Sequence, residues 1–115
     1  MAEQNEPLLH WEQHESIHVG TIRTSSVLSE VNVTEFGNQV LRYIEAHPKV
    51  NLLLSFEHVD YLSSTVLTEL LRIKRAIDES EGHLRLCAIS PVIREVFEIT
   101  NLDRVFVIHE DGVEE

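Results

Sequence analysis

The sequence predicts an α/β fold: a single domain with a mixed, mostly parallel β-sheet, an N-terminal hairpin and about three main helices. Three observations carry this. Short extended or continuously apolar runs alternate with stretches whose apolar residues recur at three-and-four spacing. The connections between these elements are short, and parallel strands joined by right-handed crossovers are the geometry expected of the alternation. The 115 residues, 43% hydrophobic and 25% charged, suit one core of ordinary globular composition. The expected organisation is a polar segment over residues 1–7, a domain over 8–110 and an acidic tail over 111–115.

Taken in order, Leu8 to His14 and Ile17 to Arg23 read as two extended stretches joined at Glu15-Ser16 in a hairpin. The small polar residues between Thr24 and Val31 mark a loop, and Asn32 with Glu35 forms a capping-box pattern. Val33, Phe36, Val40, Leu41 and Ile44 then share one helical face, and the helix ends before His47-Pro48. Val50 to Phe56 is an almost unbroken apolar run, expected as a central strand. Leu67, Leu70, Leu71 and Ile77 give the stripe of a second helix over about Ser64 to Ser80, with Gly82 placed to stop it in a left-handed conformation. Leu84 to Ile89 forms another strand. Ser90-Pro91 caps a third helix with Ile93, Val96 and Phe97 inward, stopping near Asn101, and Val105 to Ile108 closes the sheet. Leu52, Leu54, Phe56, Leu67, Leu70, Leu71, Leu86, Val96 and Phe97 are the expected core.

Charge and cysteine content narrow the function. Nine Lys and Arg against twenty Asp and Glu give a formal charge of -11, which repels phosphate backbones, so nucleic acid is not an expected partner. Met1 to Pro7 lacks the basic start and apolar core of a signal peptide, and no run approaches the roughly 18 apolar residues of a membrane helix. The expected location is the cytoplasm, without membrane insertion. Cys87 is the only cysteine, so one chain builds neither an internal disulfide nor a multi-cysteine zinc site, and its place in an apolar strand reads as a buried, inert thiol.

No Gly-rich phosphate loop, Gly-x-Ser-x-Gly elbow or reactive cysteine pair is present, so neither catalysis nor a cofactor is expected. His10, His14 and His18 would align on a helix as metal ligands, but a hairpin breaks the alignment and they read as solvated or sheet-edge residues. Trp11 reads as a core or interface anchor.

The segment Val59-Asp60-Tyr61-Leu62-Ser63-Ser64-Thr65-Val66-Leu67 joins the central strand to the second helix. A hydroxyl in the first turn of a helix faces unpaired backbone N–H groups and the positive end of the helix dipole, so a phosphate there is tolerated without unfolding. Serine there also serves as an N-cap. With Gly82 to Cys87, Ser90-Pro91 to Phe97 and Thr100 to Phe106, this segment resembles the STAS domain of anti-sigma factor antagonists across about residues 8 to 110.

The resemblance implies a protein-binding module, switched when a partner anti-sigma factor phosphorylates the serine that follows an Asp. That partner is a serine kinase of the ATP-binding, histidine-kinase-like class, and the ATP belongs to it. The matching serine is Ser64, with Ser63 as the alternative acceptor, and the implied contact surface is Tyr61, Leu62, Ser63, Ser64, Thr65 and Val66. The family's Asp is Ser63 in this chain and its Gly is Val66, whose bulk is expected where a partner backbone approaches. These two departures favour an alternative, a constitutive scaffold or subunit of a signalling or transport complex. The sequence does not specify an oligomeric state.

Overall fold

The computed structural model describes residues 8–23, 33–59 and 62–109. Among them are strands β1 (Leu9–His14), β2 (Ile17–Ile22), β3 (Asn51–Ser55), β4 (His83–Cys87) and β5 (Val107–His109), and helices α1 (Val33–Ala46), α2 (Ser64–Glu79) and α3 (Pro91–Ile99). The strands form one sheet in the order β1-β2-β3-β4-β5, antiparallel between β1 and β2 and parallel thereafter. The hairpin turns where expected, with Glu15 in a left-handed conformation at φ 59. Asn32, Tyr61 and the terminal segments lie outside the described residues.

Register sorts the strand residues by face. Trp11 pairs with Gly20, Gly20 with Leu54, Leu54 with Leu86 and Leu86 with Ile108, so alternate residues of all five strands share one side. Leu9, Ile22, Leu52, Leu54, Leu84 and Leu86 on that side join Phe36, Val40, Ile44, Leu70, Ile73, Ile77, Ile93 and Phe97 of the helices in one buried cluster. A smaller cluster of Val19, Leu53 and Cys87 occupies the opposite side. Strand β3 is therefore buried on both faces, as its unbroken apolar run predicts.

Helix α2 differs from the expected stripe. Its buried face is Val66, Leu70, Ile73 and Ile77, while Leu67 is half-buried and Leu71 is 41% exposed. Leu71 lies about 100° around the helix from Leu70 and cannot share its inward direction. Glu69 takes part in the buried side instead, its carboxylate lying over Gly37 of α1, where any Cβ would collide with it. Val96 of α3, expected in the core, is only half-buried; the buried residues of that helix are Ile93 and Phe97.

The end of α2 also corrects the sequence expectation. The left-handed residue is Glu81, at φ 65, and no described glycine has a positive φ. Glu81 N–H donates to Asp78 C=O (3.0 Å) and Gly82 N–H to Ile77 C=O (2.9 Å), the two closing bonds of a Schellman motif. Gly82 is needed for proximity: a Cβ there would strike the backbone carbonyl of Val50. Helix α3 begins as predicted, with Ser90 Oγ accepting from Ile93 N–H at 3.3 Å and Pro91 at its first position. The last strand starts later than expected, because a 3-10 turn at Leu102–Arg104 carries the chain through Val105 to the buried Phe106 before pairing begins at Val107.

Candidate functional site

Strand β3, the central strand, delivers the chain to the C-terminal end of the parallel strands, where Phe56 N–H donates to Cys87 C=O (3.0 Å) and Val59 N–H to Phe56 C=O (2.9 Å). Phe56 and Val59 are buried, which fixes this turn against the core while Glu57 and His58 stay exposed. Leu62 then packs at the margin of the main cluster and leads into α2. The start of α2 is thereby anchored on both sides.

Ser63 is the N-cap. Its backbone is extended, at φ -97 and ψ 170, and its Oγ accepts from Val66 N–H at 3.4 Å. The Ser63 and Thr65 hydroxyls lie 2.8 Å apart and share a further hydrogen bond. Ser64 is the first helical residue and is exposed; its carbonyl accepts from the Thr68 hydroxyl at 3.2 Å. The first turn carries no acidic side chain, so the positive end of the helix dipole is not offset within it. One of the two adjacent serines is thus tied into the cap, while the other faces solvent.

The remaining segment residues divide by exposure. Thr65 is exposed, Leu62 and Ser63 are half-buried, and Tyr61 lies outside the described residues. Val66 is fully buried. Its bulk points into the core, so it neither presents surface to a partner nor obstructs one, contrary to the sequence expectation.

The histidines separate as a strand dictates. His10 and His14 flank Glu12 on one face of β1, each Nε2 lying 3.1 Å from a different carboxylate oxygen. These hydrogen bonds, from His14 and then His10, hold the Glu12 carboxyl below the usual carboxylate range. His18 is on the other face, buried, with Nδ1 2.6 Å from the Tyr43 hydroxyl. Among the described residues no group of three or more His, Cys, Asp or Glu is arranged to hold a metal ion. Trp11 is half-buried and stacks on Tyr43 with ring centroids 3.7 Å apart, directly over Gly20. Tyr43 also stacks on His47 at 4.1 Å, so Trp11 anchors an aromatic and imidazole cluster that the sequence did not indicate. The Cys87 thiol is pushed up by burial, consistent with an inert thiol.

Residues 10–114 match the STAS domain family. The chain belongs to that family. A stretch of 57 residues is 33% identical to BtrV of Bordetella bronchiseptica, a candidate anti-sigma factor antagonist; it covers 50% of this chain and spans about half, 49%, of that relative. Among solved structures, a candidate anti-sigma factor antagonist of Thermotoga maritima superposes with a TM-score of 0.82 at 19% identity, covering 90% of this chain and 87% of that one. The cell fate determinant SpoIIAA of Bacillus, in its phosphorylated form, gives a TM-score of 0.65 at 17% identity, covering 89% of this chain and 91% of that one. These structural likenesses establish the STAS fold. Among the described residues no helix is long and apolar enough to cross a membrane.

Proposed function

We propose that this STAS domain is an anti-sigma factor antagonist, a cytoplasmic binding module with no chemistry of its own, and that phosphate on Ser64 switches it. The partner is an anti-sigma factor that is also an ATP-binding serine kinase. It docks on the α2 N-terminus through Leu62, Ser63, Ser64 and Thr65, together with Tyr61, which precedes them in the sequence, and Ser64 accepts the phosphate. The observation that carries this reading is the division of labour between neighbouring serines: Ser63 is engaged as the cap, and Ser64 is exposed at the first position of the helix.

A phosphate adds about -1.5 to -2 charge at pH 7, and the helix N-terminus tolerates it in the free protein. In a closed interface the same charge loses its water and repels acidic neighbours, so binding is lost while the fold persists. Occurrence of SpoIIAA in phosphorylated and unphosphorylated forms supports the reading by analogy.

Affinity measurement on purified proteins tests it. Ser64→Ala should bind the kinase as tightly as the unmodified chain and ignore ATP, whereas Ser64→Asp should stay folded and bind more weakly. The presence of Ser63 where the family has Asp favours a second reading, a constitutive scaffold using the same surface. Binding of the wild type that never responds to ATP would select it.

A further inference from the structure

Resting on the reading of α2 as a partner-facing element, we infer that the contact extends about three turns beyond Ser64. The exposed face of α2 from Ser64 to Arg75 docks a partner surface made of an apolar pocket rimmed by carboxylates.

Ser64, Thr68, Leu71 and Arg75 are spaced by four, three and four residues, so they fall in one stripe, with Leu71 about 10 Å and Arg75 about 17 Å along the axis from Ser64. All four are exposed. A single exposed leucine means little in itself. Here it stands in line with the candidate phosphate acceptor, and half-buried Leu67 lies one turn earlier.

Charge supplies the second argument. The chain carries twenty acidic and nine basic residues, yet the only carboxylate between positions 64 and 75 is Glu69, which is buried over Gly37. The exposed charges of this stretch are therefore basic. Arg72 is held in place by Asn38 of α1 at 3.1 Å and by Glu69 at 3.5 Å, and the Arg75 side chain is 81% exposed, pairing at 3.7 Å with Glu79 a turn further on.

Arginine is one of the residues enriched in interface hot spots, and Leu71 supplies the apolar contact beside Arg72 and Arg75. The complement of this surface is a carboxylate-rimmed pocket, which also accounts for the direction of the switch. A phosphate on Ser64, at the head of the same stripe, would place negative charge against negative charge.

The test uses the full chain and each purified ATP-binding anti-sigma kinase encoded by the source genome, with affinity measured at low and high salt. Leu71→Ala should weaken binding about tenfold, and Arg75→Glu by a similar factor at low salt with a smaller loss as salt rises. Arg72→Gln should fall between wild type and Arg75→Glu. Val92→Ala, exposed on α3, should leave affinity within about twofold, and melting curves should show every variant folded. If no kinase binds the wild type, the proposed function fails and this inference with it. If a kinase binds the wild type and Ser64→Asp weakens it, but Leu71→Ala or Arg75→Glu binds unchanged, the proposed function survives and this inference is overturned.

Discussion

Replacing Ser63 by alanine removes the hydroxyl that accepts from Val66 N–H and shares a bond with Thr65, leaving the first turn of α2 without its side-chain cap. Loss of a serine cap costs about 0.5–2 kcal/mol, and the 3.4 Å length of this bond places it in the lower half of that range. For a domain of this size the expected fall in Tm is roughly 2–5 °C. Ser64→Ala removes only an exposed hydroxyl, so its effect should stay within about 0.5 kcal/mol. Ser63→Asp provides an internal control, because aspartate caps as well as serine and its charge suits the helix N-terminus. Thermal and urea unfolding followed by circular dichroism would read all three, with equal urea slopes certifying that only stability has changed. A Ser63→Ala variant that melts with wild type, while Ser64→Ala is clearly destabilised, would refute the assignment of cap and free hydroxyl.

Three further outcomes follow from the packing. Leu70→Ala should cost about 2–5 kcal/mol, whereas Leu71→Ala on the outer face should cost well under half of that; comparable losses in urea melts would contradict the corrected stripe. Gly82→Ala should destabilise by about 1–3 kcal/mol through its collision with the Val50 carbonyl, while Glu81→Gly should be neutral or stabilising by up to about 1 kcal/mol, because Glu81 holds the left-handed position. Burial, with His47 beside it, lowers the pKa of His18 below its ordinary 6.5 in the folded state, so the unfolded chain takes up this proton first as pH falls. The His18 contribution is therefore complete above about pH 6.5 and is lost as pH drops toward the folded value; His18→Gln should remove that part of the slope in melts between pH 7.5 and 5.5.

Much of the fold is legible because local signals agree. The unbroken run at β3, the polar turn at Glu15-Ser16 and the Ser90-Pro91 cap each specify one element without help from distant residues. Helix α2 is less legible, since Val66-Leu67 and Leu70-Leu71 are adjacent apolar pairs and two stripes fit the spacing. Ile73, which aligns with Val66, Leu70 and Ile77, decides between them. Gly82 reads as a left-handed terminator in the sequence because composition does not distinguish a glycine needed for handedness from one needed for close approach. At the candidate site, the adjacent serines were visible in the sequence. Which one turns outward depends on where the helix starts to within a single residue, and the extended backbone of Ser63 sets that in the structure. The contact of Glu69 with Gly37 and the stacking of Trp11 on Tyr43 join residues far apart in the chain and left no local trace.

The measurement closest to the central claim incubates wild type, Ser63→Ala and Ser64→Ala with the cognate kinase and ATP, maps the phosphate by mass spectrometry and compares the affinity of modified and unmodified protein. Phosphate should appear on Ser64 in wild type and Ser63→Ala, be absent from Ser64→Ala, and weaken binding without altering the circular dichroism spectrum. Tight binding with no modification at any residue, or modification confined to Ser63, would contradict the assignment of Ser64 as the switch.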